Sequence, residues 1–439
     1  MKLPIRILGA TLSIAGLAGA WLAQGFEFPP VPAVVEDAIS VSTDAKPLQL
    51  YCPGPLTELG GKDGTDLGSL ALIGKANLTY RLGQGELSQE PPSRIDQGTS
   101  LSMASGEQGS AALAGAQSQL IQRPRMAGLA ATNCGQPQAE GWLLNGMAGT
   151  GFESILLIGN PNPVEVQVEL TFHLETATSS QLITLAPFAQ QQLSLASYVA
   201  AEPQFAIHFQ SSGQKVSVAM QNRSSVGLTA TGVELKGPTA NASKELVIPG
   251  FEVLADGLAK ASLRVFNPGS ESAQALVTFV GSGTNSDVVE IEVPASGFGL
   301  VSPQLSEGHY LVLIQSQAEL MAELYNPYVA QRLDFAWLTP VAQLSGKNAI
   351  AVPNFNAKLA LANPGAQAIS VLVTDSEVTQ AISVPARSQL LVPITGKSVV
   401  LESTGNYQAT VILSDPNGYA VTSPSNNANL GSNIEVQVR

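Results

Sequence analysis

Leu359-Ala360-Leu361-Ala362-Asn363-Pro364-Gly365 is an apolar run closed by a turn. The residues before Asn363 read as a β-strand, and Asn-Pro-Gly ends it. Proline presets φ at the second turn position and glycine accepts φ > 0 at the third, so the spacing predicts a type II turn. The same order of residues occurs twice more. It reads Leu263-Arg264-Val265-Phe266-Asn267-Pro268-Gly269 and, earlier, Leu156-Leu157-Ile158-Gly159-Asn160-Pro161, with Asn162 in the place of glycine. The three asparagines stand 107 and 96 residues apart, which is the scale of a repeated domain.

The flanks repeat with the motif. Trp142-Leu143-Leu144, Leu246-Val247-Ile248-Pro249 and Ala349-Ile350-Ala351-Val352-Pro353 precede the three copies. An alternating strand follows each: Val164, Val166, Val168, Leu170 and Phe172; Ala273, Ala275, Val277 and Phe279; Ile369, Val371 and Val373. Period two with one apolar face predicts half-buried antiparallel strands. A further apolar strand ends at Pro187, Pro294 or Pro385. Two last segments are read as a closing hairpin: Phe205, Ile207 and Phe209 with Val216, Val218 and Met220; Tyr310, Val312 and Ile314 with Leu320, Ala322 and Leu324; Tyr407, Ala409 and Val411 with Tyr419 and Val421. About seven short strands in roughly 100 residues fit an immunoglobulin-like sandwich. The expected fold is all-β, with tandem immunoglobulin-like β-sandwich modules at residues 141–244, 245–347 and 348–439.

Residues 47–140 follow the pattern less well and are read as an atypical β-rich domain. It carries the only two cysteines, Cys52 and Cys134. An even count in an exported chain predicts a disulfide tying this domain.

The N-terminus sets the expected address. Lys2 and Arg6 precede the uncharged run ILGATLSIAGLAGAWLA at residues 7–23. Positive charge before an apolar span favours an N-in, C-out transmembrane helix. Residues 1–23 are read as a signal-anchor holding the chain in the cytoplasmic membrane by a single pass. Ala18-Gly19-Ala20 also fits a signal-peptide cleavage pattern, and cleavage near Ala20 would secrete the chain. Residues 24–46, with Phe28-Pro29-Pro30-Val31-Pro32, are read as a Pro-containing stalk. The bulk of the chain is then extracytoplasmic.

The net charge of −13 argues against nucleic acid as a partner, because phosphate binding needs clustered Lys and Arg. No nucleophile-elbow, zinc-protease, phosphate-loop or dinucleotide fingerprint is present, and no cofactor is expected. The three histidines, His173, His208 and His309, lie on or beside predicted strands. Asp415-Pro416-Asn417-Gly418 is read as a hairpin turn, since it is too short for an EF-hand loop. The densest aromatic group is Tyr325, Tyr328, Phe335 and Trp337. It is read first as core or inter-module packing, and otherwise as a binding patch for a glycan or a protein.

The chain resembles the uncharacterised actinobacterial proteins grouped as the DUF5719 family. The resemblance rests on the N-terminal span, Cys52-Pro53-Gly54-Pro55, Cys134 followed by Trp142, the Leu-x-Leu-x-Asn-Pro strand and Ile248-Pro249-Gly250. It implies exported or membrane-anchored β proteins with no assigned activity or functional residues. It also implies, by association, a membrane glycosyltransferase as partner in building an envelope glycan. The expected function is a non-enzymatic envelope scaffold or interaction protein. A carbohydrate-binding or adhesive module and a glycan-acting enzyme are the alternatives.

Overall fold

The computed structural model describes residues 39–43, 48–60, 69–82, 87–88, 98–103, 113–175, 177–199, 201–254, 260–281, 286–424 and 434–438. Residues 1–23, read as a membrane anchor, lie outside them, as does most of the expected stalk. Among the described residues no helix is long and apolar enough to cross a membrane. The secondary structure of the described residues is β throughout, apart from one 3-10 turn at Leu195–Ser197.

Three consecutive stretches repeat one pairing scheme of eight strands in two facing sheets. In the first, the strands are Glu140–Gly146, Phe152–Gly159, Val166–His173, Thr178–Leu185, Gln190–Ser194, Phe205–Ser211, Ser217–Val226 and Thr229–Lys236. One sheet orders them first-sixth-third-fourth, and the other fifth-second-seventh-eighth. Alternation decides which side chains enter the core. Val166, Val168, Leu170 and Phe172 are all buried, and they meet Leu156, Ile158, Val218 and Met220 from the opposite sheet. Ala273 to Phe279 and Val371 with Val373 do the same in the second and third modules. Val164, counted in the alternation, is exposed and belongs to the preceding turn.

Two of the three expected hairpins are absent. Phe205–Ser211 and Ser217–Val226 lie in different sheets. In the second module both segments are one strand, Gly308–Val329, whose halves pair in different sheets. Alternation reports which residues face the core but not which strand lies alongside. In the third module the hairpin forms, between Ser398–Asp415 and Gly418–Thr422.

The repeated asparagines make a turn of another kind. Neither Gly269 nor Gly365 has a left-handed φ, so the turn is not type II. Instead Asn267 Oδ1 accepts the Gly269 N–H at 2.9 Å, and Asn363 Oδ1 accepts that of Gly365 at 3.0 Å. Glycine fits because a Cβ at either position would crowd that same Oδ1. In the first copy Asn162 donates to Asn160 Oδ1 through both its backbone and its side chain. A left-handed residue recurs in every module at another turn, Phe188, Ser296 and Arg387, between the fourth and fifth strands.

The N-terminal region has short sheets of its own, formed by Leu48–Cys52 with Thr99–Met103, Thr57–Leu59 with Leu70–Leu72, and Asn77–Leu82 with Leu113–Gln122 and Ala127–Asn133. Cys52 and Cys134 form the predicted disulfide within a small buried cluster. Glutamine side chains replace missing strand partners here. Gln117 pairs with both backbone groups of Gly54, and Gln221 of the first module with both of Thr57. Ala45–Ser432 form one compact unit. In the other unit Ile39–Thr43 pairs antiparallel with Ile434–Val438. The tail of the expected stalk is therefore a strand, as its alternating Ile39 and Val41 allow, and the third module's own last strand is Gly418–Thr422.

Candidate functional site at a four-strand junction

The last strand of each module and Ala127–Asn133 of the N-terminal region pack in a ring. Ala127–Asn133 touches Thr229–Lys236 and Gly418–Thr422, and Leu333–Leu338 closes the ring by touching the same two. Their sequences share a register: Gly128-Leu129-Ala130, Gly232-Val233-Glu234, Asp334-Phe335-Ala336 and Gly418-Tyr419-Ala420. Three strands carry glycine where the fourth carries Asp334.

That substitution fills the centre of the ring. Asp334 Oδ2 accepts the N–H groups of Leu129 and Tyr419, each at 2.8 Å, and Oδ1 accepts that of Val233 at 3.1 Å. The Phe335 N–H adds a fourth donor. Each donor lies one residue after a ring position. The glycines are required by space: a Cβ on Gly128 would lie 2.5 Å from Asp334 Oδ1, and one on Gly232 would lie 2.9 Å from it and strike Phe335. A Cβ on Gly418 would strike the Leu129 backbone. Asp334 is 1% exposed. Burial pushes its carboxyl up to about 8, against the opposing pull of the four N–H groups.

More buried charge surrounds the ring. Glu234 Oε1 accepts the Trp337 backbone N–H at 2.6 Å, while Oε2 is buried without a hydrogen-bond partner. Burial raises this carboxyl to about 8, although Lys236 opposes the shift. Glu323 of the second module pairs with Lys236 of the first and accepts from Asn145 at 2.8 Å. Lys236 also donates to the Leu144 carbonyl at 2.7 Å. The Arg264 guanidinium lies 4.9 Å from the Trp337 ring centre, a cation–π contact across the strand Gly308–Val329, with which both of their strands pair. Lys236, Asn145 and Glu323 join the first module to the second through charge-assisted bonds in a buried interior.

The aromatic quartet belongs to this interior. Phe335 is fully buried, Trp337 is 3% exposed, and Tyr325 packs on both. Tyr328 stacks on Tyr419 of the third module at 4.8 Å. The quartet is inter-module packing and not an exposed strip. His173 and His208 do come together, both against Trp142, with ring centres 5.1 and 4.5 Å from it. Burial and the neighbouring His208 hold His173 below its ordinary range, and His208 Nε2 lies 2.8 Å from Glu140. His309 lies apart, beside Glu252. Among the described residues no group of three or more His, Cys, Asp and Glu is placed to hold a metal ion.

A family model described as a family of unknown function, DUF5719, matches residues 92–412. The chain belongs to that family. The part that identifies it as DUF5719 spans the first two modules, most of the third, and three of the four ring strands. No curated protein matches the sequence. The crystal structure of Thermotoga maritima 1070 aligns at 14% identity and a TM-score of 0.22, covering 24% of this chain and 94% of that one. A tetra-tandem repeat from the extending region of a large adhesion protein aligns at 13% identity and a TM-score of 0.12, covering 83% and 92%. Likenesses this weak carry no inference about fold or function.

Sequence reasoning missed the charged junction of this DUF5719 chain. Val233-Glu234-Leu235-Lys236 alternates, a pattern whose polar face ordinarily meets solvent. Residues 232–236 are instead buried on both faces, because another module covers the second. The available signal was the shared Gly-apolar register of the last strands, with Asp334 as its exception.

Proposed function

We propose that this chain is a non-enzymatic, membrane-anchored extracytoplasmic scaffold of the cell envelope, built from immunoglobulin-like sandwiches. One observation carries the reading: the buried carboxylates Asp334 and Glu323 are spent on joining modules, with Asp334 alone bonded to four strands. Buried charge used this way fixes relative position, and a fixed body offers partners a broad surface of defined shape. The pairing of second with fifth and third with sixth strands supports the immunoglobulin-like assignment, since B–E and C–F pairs organise those sandwiches. Lys2, Arg6 and the apolar run that follows support anchoring. The disulfide supports an oxidising compartment. Burial of Phe335 and Trp337 weighs against the aromatic quartet as a surface for sugar, with Tyr325 and Tyr328 half-buried.

The expected partner is an envelope protein, with a membrane glycosyltransferase as the first class to examine. Crosslinking in cells, followed by capture of the tagged full-length chain from membranes, should enrich one such protein. Recovery of the chain from the soluble fraction, or of nothing above an untagged control, would sink the proposal.

A further inference from the structure

The packing of the N-terminal region against the third module leaves a cleft of about 650 Å³, within the usual range for ligand sites. One wall is Asn77–Leu82, an edge strand that pairs only with Leu113–Gln122 among the described residues. The other is the Asn354-Phe355 turn between the third module's first two strands, together with Lys397.

Asn77 and Asn354 supply amides, Thr79 a hydroxyl, Tyr80 and Phe355 aromatic rings, and Lys397 one ammonium. None of their polar side chains has a hydrogen bond or ion pair among the described residues. Another cleft, about 580 Å³ beside Phe251, is lined by the charged side chains of Glu252, Lys260 and Glu307. There Asn326 is committed to the Tyr419 hydroxyl, Glu252 lies beside His309, and the Ser306 carbonyl accepts from Tyr310. The first cleft combines rings with polar side chains that are uncommitted among the described residues.

We propose that this first cleft binds a neutral oligosaccharide. Sugar hydroxyls each need a donor and an acceptor, which an asparagine amide offers together. The C–H faces of pyranose rings pack on aromatic side chains, as other apolar surfaces do. Among the described residues no carboxylate lines the cleft, and a single lysine on a chain of net charge −13 does not favour a polyanion. The site is separate from the buried junction and does not depend on how the chain is held at the membrane.

The test uses saturation-transfer NMR on the full chain with short linear oligosaccharides of glucose, mannose, galactose and arabinose. At least one should receive signal. Tyr80→Ala and Asn354→Ala should each weaken that sugar by roughly tenfold, with far-UV circular dichroism and the unfolding midpoint unchanged. Tyr80 and Asn354 are exposed, so neither variant threatens the fold. Absence of transfer from every sugar overturns the proposal, as does binding undiminished in both variants. Binding of extended peptides alone, through the open edge of Asn77–Leu82 and insensitive to Asn354→Ala, would also overturn it.

Discussion

Asn363 shows how much one side chain can organise. It is 1% exposed. Its Nδ2 donates to the carbonyls of Gln367, Val384 and Pro385 at 2.8, 3.1 and 3.0 Å, while Oδ1 holds the Gly365 N–H. One amide thereby closes the turn after the second strand and fastens the end of the fourth. Asn160 and Asn267 do the same in their modules. Truncation would strand several buried carbonyls, at about 1–3 kcal/mol for each group that finds no water. Asn363→Ala is expected to lower stability by roughly 2–4 kcal/mol. Asn363→Asp keeps the shape and the acceptor but sets a carboxylate against carbonyl oxygens, so it should cost at least as much. Urea unfolding of the two variants checks this, and an Asp variant close to wild type would show that the Nδ2 donations contribute little.

The strands divide into those the sequence announces and those it does not. Third strands such as Val166–His173 alternate because one face meets the core and the other meets water. Fifth strands are quieter: Gln190–Ser194 is QQQLS, half-buried at every position, and its polar run carries no period. The eighth strands mislead in the opposite sense, because both faces are covered and polar residues there are not solvated. The disulfide and the repeat were legible, since cysteine count and turn chemistry are local. The ring around Asp334 was not, because its four members lie more than 80 residues apart or on separate modules and meet only after folding. The glycine positions of these strands give a direct test of the ring. Gly232→Ala places a methyl against Asp334 and Phe335 in a backbone at φ +153°, unfavourable for any L-residue. It should destabilise by about 2–3 kcal/mol, whereas Gly213→Ala, with open space around it but also at positive φ, should cost only about 1 kcal/mol. Equal losses in the two variants, by urea unfolding, would show that backbone strain and not crowding of the ring sets the cost.

At the scale of the molecule, the junction makes stability depend on pH in a direction opposite to that of ordinary salt-bridged acids. Asp334 and Glu234 are each pushed up to about 8 by burial, and burial also raises Glu323. Lys236 and Arg264 face this group and hold the rise back without cancelling it. A carboxyl that binds its proton more tightly when folded favours the folded state most at low pH. That contribution is complete below the unfolded values, near 4, and is lost progressively as pH rises through the folded value near 8. The midpoint of urea unfolding should therefore fall between about pH 5 and pH 8 and level off above that. Glu234→Gln together with Asp334→Asn should flatten the profile, since neither amide titrates, whatever the pair costs in absolute stability. A midpoint that rises over this interval would mean that the N–H groups around Asp334 outweigh its burial. The junction would then hold a permanent carboxylate, and the modules would be locked most firmly in alkaline rather than acidic surroundings.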